Sequence, residues 1–207
     1  MKLFGHPLSS CTRKVLVTLA EKETTADLVV VDLFVAEHKT QGHLARHPFG
    51  VVPVLDDDGF VLFESRAIIR YLDARLEGTP LTPKSPTPLA RMNQWLSVDQ
   101  SYVAPHTRAL AVERILKKHE GIAPDPAAER AAEGALGHAL GVIDRALGAA
   151  EYLAGEAFSL ADVSLMPYVA SLSMIRAEHL LADLPHLEAW WGRVRERASW
   201  KRALAAA

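Results

Sequence analysis

The chain has 207 residues, 49% of them hydrophobic, and a formal net charge of −2 at pH 7. This size allows one large domain or two small ones, and the balanced charge argues against a nucleic acid or an anionic membrane held by bulk electrostatics. No apolar run approaches the ~18 residues that a membrane span needs, and the first residues lack the apolar stretch of a signal peptide.

Cys11 is the single cysteine of the sequence. A lone cysteine excludes an intrachain disulfide, a CxxC redox pair and a cysteine-based zinc site, and it is typical of a reducing cytosol. The histidines are scattered and none belongs to an HExxH motif. We therefore expect a cytoplasmic protein without a metal.

The first part of the chain alternates strand and helix patterns. Lys2–Phe4 is predicted to form a short strand and Ser10–Lys22 a helix. The β-branched run Leu28–Val31 is typical of a strand buried on both faces. Glu37–Arg46 is polar and contains a glycine, so it is expected to be irregular or weakly helical.

A hairpin and a helix follow. The residues Asp56–Gly59 separate two β-rich runs, which predicts a tight β-turn. Apolar residues after Ser65 recur at helical spacing, so Ser65 is expected at the helix N-cap. The N–H groups of a helix N-terminus bind a carboxylate well, and the neighbouring Glu64 can accept from an ammonium group. Together, the helix N-terminus and Glu64 suit the α-carboxylate and α-ammonium groups of an amino acid.

The second part of the chain shows only helical patterns. Residues 77–88 are proline-rich and form a predicted linker. A long helix follows from Leu89 to Leu116, with a bend expected at Pro105, and further helices are predicted at about 127–150, at about 160–177 and from 185 onward. Ser159–Asp162 is a capping box that starts the third of these helices.

Four segments carry a resemblance to a known family. They are Pro7–Lys14 between the first strand and helix, Glu37–Lys39, Phe49–Pro53, and the Gly-x-x-x-Ser-x-Ala-Asp pattern that runs from Gly155 to Asp162. Taken with the Glu-Ser pair at the predicted helix start, they resemble the glutathione S-transferases, and most closely the phi class, as a soluble bacterial type.

The resemblance implies an α/β thioredoxin-like N-terminal domain followed by an all-α C-terminal domain. Residues 1–76 would form the glutathione-binding domain, 77–88 the linker, and 89–207 the helical domain that carries the electrophile site. The implied activity is conjugation of the glutathione thiolate to small hydrophobic electrophiles in detoxification, by a homodimer with glutathione as co-substrate. Glutathione peroxidase activity is a further activity that the resemblance admits.

The family pattern places the catalytic serine two residues after a proline, which is Ser9. A hydroxyl that donates to a thiolate contributes roughly 1.5–3 kcal/mol, which lowers a thiol pKa of ~8.5 by about one to two. Ser9 and Ser10 are both candidates for the helix cap, and with Ser9 assigned to the thiolate the cap is expected at Ser10.

The same resemblance assigns the rest of the glutathione site. His38 and Lys39 would contact the glycine carboxylate, and the backbone of Val52 would pair with the cysteinyl unit beside a cis Pro53. Glu64 and Ser65 would bind the amino-acid end of the tripeptide. Val51 stands where the phi-class segment has glutamine, so one polar contact to the tripeptide is in doubt.

Other interpretations stay open at this point. The candidates for the electrophile site are Tyr102, His106 and Tyr168, with Arg108. The alternative role for these four side chains is packing between the two domains. Cys11 could act in a glutathione-dependent thiol transferase instead of Ser9. A third alternative is a non-catalytic glutathione-binding protein that keeps the fold.

Overall fold

The computed structural model describes residues 1–205, which divide into two compact units. The first comprises Met1–Thr82 and the end of the chain from Arg195 onward, and the second is Pro83–Val194. The last described helix therefore groups with the sheet, whereas the sequence pattern assigned everything after residue 88 to the helical domain.

A four-stranded mixed sheet forms the centre of the first unit. The strands are β1 Lys2–Gly5, β2 Asp27–Val30, β3 Val54–Asp57 and β4 Phe60–Phe63. Their order is β2-β1-β3-β4, with β1 and β2 parallel and the other neighbours antiparallel. This confirms the thioredoxin-like α/β fold.

One expectation about this sheet is wrong. The β-branched run was expected to be buried on both faces, but β2 lies at the edge of the sheet and Val30 is 52% exposed. Only Val31, the residue after the strand, is fully enclosed. A β-branched run favours extended structure in either place, so the pattern alone does not separate an edge strand from a central one.

Four helices complete the first unit. They are α1 Ser10–Glu21, α2 Gln41–Leu44, α3 Ser65–Arg75 and, at the end of the described chain, α10 Ala198–Ala205. Helix α1 packs against both α3 and α10, and a 3₁₀ turn over Glu37–Lys39 precedes α2. The completely buried apolar residues of this unit come from β1, α1, β3 and α3 and include Leu3, Val15, Val54, Leu55, Ile68, Ile69 and Leu72.

The second unit is helical, as predicted. Its helices are α4 Pro86–Val98, α5 Ala104–Ala111, α6 Lys117–His119, α7 Pro126–Leu147, α8 Leu160–Met174 and α9 Pro185–Val194. Two π-helical turns, Asp99–Val103 and Val112–Leu116, connect α4 to α5 and α5 to α6. The first turn ends just before Pro105, whose missing N–H explains the departure from regular α-helical bonding there.

The capping box at the start of α8 is confirmed. Asp162 is completely buried, and its carboxylate accepts from the backbone N–H and the hydroxyl of Ser159 at 3.0 and 2.9 Å. It also accepts from the N–H of Leu153 at 3.0 Å and from the indole N–H of Trp190 at 2.9 Å. Because these donors come from three segments of the chain, this carboxylate joins the start of α8 to the loop before it and to α9.

Candidate functional site

Three connections meet at one end of the sheet. Phe4 near the end of β1 pairs with Val54 at the start of β3, and Val54 pairs with Phe63 at the end of β4. The β1–α1 loop, the residues before β3 and the junction between β4 and α3 therefore leave the sheet on the same side. This is the end of the sheet where α/β domains tend to bind ligands.

Ser9 is the N-cap of α1. Its backbone is extended (φ −72°, ψ 121°), and its Oγ accepts from the N–H of Thr12 at 3.3 Å. The expectation that Ser10 would be the cap is wrong, since Ser10 is the first helical residue. A serine hydroxyl that accepts at its oxygen still has its own O–H donor, so Ser9 can cap α1 and donate to a ligand at once.

The backbone around Ser9 is held in place from both sides. A Cβ on Gly5 would come within 2.6 Å of the Thr12 side chain, so the glycine lets Thr12 pack directly on the end of β1. Thr12 Oγ1 accepts from the N–H of His6 at 3.3 Å, and Arg13 Nε donates to the carbonyl of Pro7 at 2.8 Å. These contacts fix the loop that carries Ser9.

Glu64 and Ser65 form the junction between β4 and α3. The expectation that Ser65 would be the N-cap is wrong: the cap is Glu64, whose carbonyl accepts from the N–H groups of Ala67 and Ile68, both at 2.9 Å. Glu64 has φ 71° and ψ 107°, a strained conformation for a residue with a Cβ. Its side chain is exposed, while Ser65 is 3% exposed. The first N–H groups of α3 have no carbonyl partner within the helix.

The residues before β3 are bound to the segment that precedes α2. The Val52–Pro53 peptide bond is cis, as expected. Lys39 Nζ donates to the carbonyls of Gly50 at 2.7 Å and Phe49 at 3.3 Å. An ammonium group has three N–H donors, so Lys39 keeps a donor for a ligand while it holds this loop.

His38 lies in the same 3₁₀ turn as Lys39. Its carbonyl oxygen would be 2.9 Å from a Cβ on Gly50, whose φ of 59° lies in the left-handed region. Glycine at this position therefore allows both the close contact and the backbone conformation. The close approach keeps His38 and Lys39 beside the residues that lead to Val52.

Two histidines of this region were missed in the sequence analysis. His43 is 4% exposed and His47 is 1% exposed, and their rings stack with centroids 6.4 Å apart. His47 also stacks on Phe63 at 4.6 Å. Burial lowers the pKa of His47; the charge of Glu64 opposes this effect, and the charges of His43 and Lys39 add to it. Their i, i+4 spacing was the available signal, because it places two side chains on one helix face.

The remaining candidates lie on helices of both units. Cys11 is the second residue of α1 and is partly exposed. In the second unit, Tyr102 lies in the first π-helical turn and is 59% exposed, and His106, one turn later in α5, is partly exposed. Tyr168 in α8 is 6% exposed, and Arg108 is exposed.

Residues 1–205 offer neither a metal-binding cluster nor a membrane-spanning helix. No group of three or more His, Cys, Asp and Glu residues is arranged to hold a metal ion in this range. Within the same range, no helix has both the length and the apolar character that crossing a bilayer requires.

The fold and the end of the sheet described above define a thioredoxin-like domain joined to a helical unit. Residues 1–74 match the family described as "Glutathione S-transferase, N-terminal domain", and residues 89–198 match "Glutathione S-transferase, C-terminal domain". The chain belongs to the glutathione S-transferase family. This family uses glutathione as its co-substrate.

Relatives and solved structures agree with this assignment. The chain is 37% identical to glutathione S-transferase F13 of Arabidopsis thaliana over 92% of this chain and 89% of the relative. It is 36% identical to glutathione S-transferase 3 of Zea mays over 100% and 94% of the two chains. The structure of glutathione transferase F7 from Populus trichocarpa superposes with a TM-score of 0.90 at 33% identity, covering 99% of this chain and 98% of that one. The F-type names confirm the phi-like resemblance.

A further structural neighbour carries a ligand. Glutathione S-transferase I, solved with lactoylglutathione bound, superposes with a TM-score of 0.88 at 28% identity, covering 100% of this chain and 99% of that one. A derivative of glutathione is therefore a ligand of a protein with this fold.

Proposed function

We propose that Ser9 of this glutathione transferase activates the thiol of glutathione for attack on small hydrophobic electrophiles. One observation carries the proposal. The Ser9 hydroxyl stands at the N-terminus of α1, and its oxygen is already occupied by the N–H of Thr12. The remaining O–H donor lies at the same end of the sheet as the cis Pro53 and the start of α3.

The tripeptide would bind along this end of the sheet. Its amino-acid end would meet the exposed carboxylate of Glu64 and the N-terminus of α3 at Ser65, which suit an ammonium and a carboxylate respectively. Its cysteinyl unit would pair with the backbone of Val52 as an added strand. His38 and Lys39 would contact the glycine carboxylate.

Ser9 would act on the charge of the thiol. Its O–H would donate to the thiolate, and the N-terminus of α1 would favour the same negative charge. A hydrogen bond to a charged group contributes roughly 1.5–3 kcal/mol, so the thiol pKa would fall by about one to two and most of the bound glutathione would be ionised near neutral pH.

The test compares Ser9→Ala with Ser9→Thr, a matched variant that keeps a hydroxyl. We expect Ser9→Ala to reduce kcat/KM for an aryl halide by about ten- to a hundredfold and to raise the pKa of bound glutathione, measured by the ultraviolet absorbance of the thiolate against pH. Ser9→Thr should retain most of the kcat/KM and most of the lowering of the thiol pKa. Equal activity and equal thiol pKa in Ser9→Ala and the unmodified protein would exclude Ser9 from this role.

Cys11 supports a second candidate function, a glutathione-dependent thiol transferase. Its thiol lies in the first turn of α1 and is partly exposed, and a helix N-terminus favours a thiolate. Replacing Cys11 with alanine separates the two functions. Loss of disulfide reduction with unchanged conjugation would assign a second reaction to Cys11, whereas loss of all activity in Cys11→Ala alone would replace the Ser9 mechanism.

The electrophile site is proposed to use Tyr102, His106 and Tyr168. Tyr102 supports this best, since an aromatic ring that is 59% exposed can cover an apolar ligand. Tyr102→Ala should raise the KM for the electrophile and leave the KM for glutathione unchanged. A screen across aryl halides, isothiocyanates, epoxides and hydroperoxides would identify the electrophile class and test for peroxidase activity.

A cytoplasmic homodimer active in detoxification completes the proposal. The lone cysteine supports the reducing compartment, and the exposed aromatic side chains of Phe49 and Phe60 on the first unit support a surface that a second copy covers. Light scattering should give twice the chain mass of 22.6 kDa. A mass of one chain at all concentrations would exclude the dimer.

A further inference from the structure

Three consecutive backbone carbonyl groups before β3 are bound by two side chains. Lys39 Nζ donates to the carbonyls of Phe49 and Gly50. His43 Nε2 lies 2.8 Å from the carbonyl oxygen of Val51. Because a carbonyl oxygen only accepts, the proton of this imidazole must be on Nε2.

The donor to the Val51 carbonyl is a buried side chain and the bond itself is partly buried. His43 is 4% exposed, whereas Lys39 is exposed. A hydrogen bond in such an environment is stronger than one in water, and a carbonyl left without its donor there is costly. The His47 ring lies beside the His43 ring, with centroids 6.4 Å apart and an angle of 22° between the ring planes.

The carbonyl that His43 binds belongs to Val51, the residue directly before Val52. Fixing the Val51 carbonyl fixes the peptide plane that contains the Val52 N–H, and the residue after Val52 is the cis Pro53. The orientation of the Val52 backbone is therefore set on one side by His43 and on the other by the proline.

We propose that His43 is a positioning residue of the glutathione site: its Nε2–H holds the Val51 carbonyl so that the Val52 backbone is ready to pair with the cysteinyl unit of glutathione. The inference rests on the proposed function, in which Val52 provides that pairing. His43 contacts a carbonyl of the chain, so its effect is on the binding of glutathione and not on the transfer step.

This role predicts a particular kinetic pattern. Backbone pairing with the tripeptide is the same before and during the reaction, so weakening it changes the stability of the bound ground state and of the transition state equally. Such a loss raises KM and leaves kcat unchanged. A general loss of folded protein would instead lower the active fraction and leave KM for glutathione unaltered.

The test compares His43→Met with His43→Gln. Methionine has similar length but no donor, and glutamine places an N–H near the position of Nε2. We expect His43→Met to raise the KM and the calorimetric Kd for glutathione about tenfold, equivalent to about 1.4 kcal/mol, with kcat within about twofold. His43→Gln should stay within about threefold of the unmodified protein in both constants. Equal KM and Kd in His43→Met and the unmodified protein would overturn the proposal.

The outcomes separate this inference from the proposed function. If the unmodified protein binds glutathione and His43→Met binds it equally well, only the role of His43 is contradicted. If the unmodified protein does not bind glutathione, the proposed function and this inference both fail. If His43→Met does not fold, nitrogen-15 spectra of the histidine rings in the unmodified protein decide. A proton on Nε2 of His43, with signals that shift as glutathione is added, supports the proposal, and a proton on Nδ1 contradicts it.

Discussion

Glu64 combines a strained backbone with an exposed carboxylate at the start of α3. Its φ of 71° lies in the region that favours glycine, yet its carbonyl accepts from two N–H groups of the first turn. A residue with a Cβ in such a conformation costs of order 1–3 kcal/mol. The surrounding turn therefore keeps a side chain at this place against its local preference, which fits a role in binding the ammonium group of a ligand.

Replacing Glu64 should separate stability from binding. Glu64→Gly should raise the free energy of unfolding by about 1 kcal/mol, because glycine adopts this φ without strain, and should weaken glutathione binding, because the carboxylate is lost. Glu64→Gln keeps the strain and removes only the charge, so it should weaken binding without stabilising the protein. Urea unfolding and calorimetry measure the two effects. A glycine variant with unchanged affinity would remove Glu64 from the site.

We expect His47 to make the stability of the protein depend on pH. Burial lowers its pKa below the value of about 6.5 in an unfolded chain, so between these two values the unfolded state binds more protons. The free energy of unfolding contributed by this group is therefore complete above the unfolded pKa and falls as the solution is acidified toward the folded one.

Urea unfolding at about pH 7.5 and about pH 5.5 tests this effect. The unmodified protein should lose more stability between the two conditions than His47→Gln, which has no proton to gain. His138→Gln, at an exposed histidine of the second unit, should behave as the unmodified protein. The same loss in His47→Gln as in the unmodified protein would show that another group causes the acid sensitivity.

At the scale of elements, α10 is bound to α1 by a compact polar cluster. Arg197 donates to both oxygens of Glu21 at 2.7 and 2.9 Å, and the hydroxyl of Ser199 donates to the same carboxylate at 2.5 Å. Glu21 is 8% exposed and Arg197 30% exposed at the side chain. A paired carboxylate with three donors holds the last described helix on the first unit.

Arg197→Ala should lower the free energy of unfolding of the first unit by about 1–2 kcal/mol, since the buried carboxylate of Glu21 loses its paired charge while part of the bond is screened by water. Arg195 provides the control, because it is exposed and its ion pair with Glu196 is long, at 4.0 Å. Arg195→Ala should change stability by less than about 0.5 kcal/mol. Urea unfolding and limited proteolysis of the C-terminal helix measure both. Equal stability of the two variants would contradict a structural role for the cluster.

Local patterns in the sequence predicted those elements whose shape local chemistry determines. The Asp-Gly turn is an example: Asp58 and Gly59 have φ values of 53° and 95°, as a two-residue hairpin requires. The capping box is another, since both of its bonds join residues three apart. The prediction for the cap of α3 was wrong because the general preference for serine at an N-cap favours Ser65. In the structure the cap is Glu64, whose backbone carbonyl accepts from Ala67 and Ile68 although its φ is strained.

Features that depend on distant parts of the chain were not predictable from one sequence. Strand β2 lies at the edge because β3, from later in the chain, pairs with the other side of β1. The packing of α10 on α1 joins residues from opposite ends of the described chain. The bond between His43 and Val51 joins a helix to a loop eight residues away. In the candidate site, the resemblance identifies Ser9 and Lys39. The backbone groups that they bind, the N–H of Thr12 and the carbonyls of Phe49 and Gly50, are visible only in the structure.

At the scale of the whole molecule, glutathione binding and stability are linked. A ligand that binds only the folded state adds about 2.7 kcal/mol to the free energy of unfolding at a hundredfold excess over its Kd. We expect glutathione to raise the Tm of the unmodified protein and, by a smaller amount, that of Ser9→Ala, because Ser9 stabilises the bound thiolate. S-methylglutathione, which has no thiol proton to release, should stabilise both to the same degree. No change of Tm with either ligand would contradict the glutathione site.

The carboxylate of Asp162 has a consequence for following the second unit in solution. It caps α8 and also accepts from the indole of Trp190, which is completely buried in α9. The start of α8 and the position of α9 therefore share one side chain. In a variant that keeps Trp190 and replaces Trp95, Trp191 and Trp200, the fluorescence of the remaining indole would report when these two helices come together.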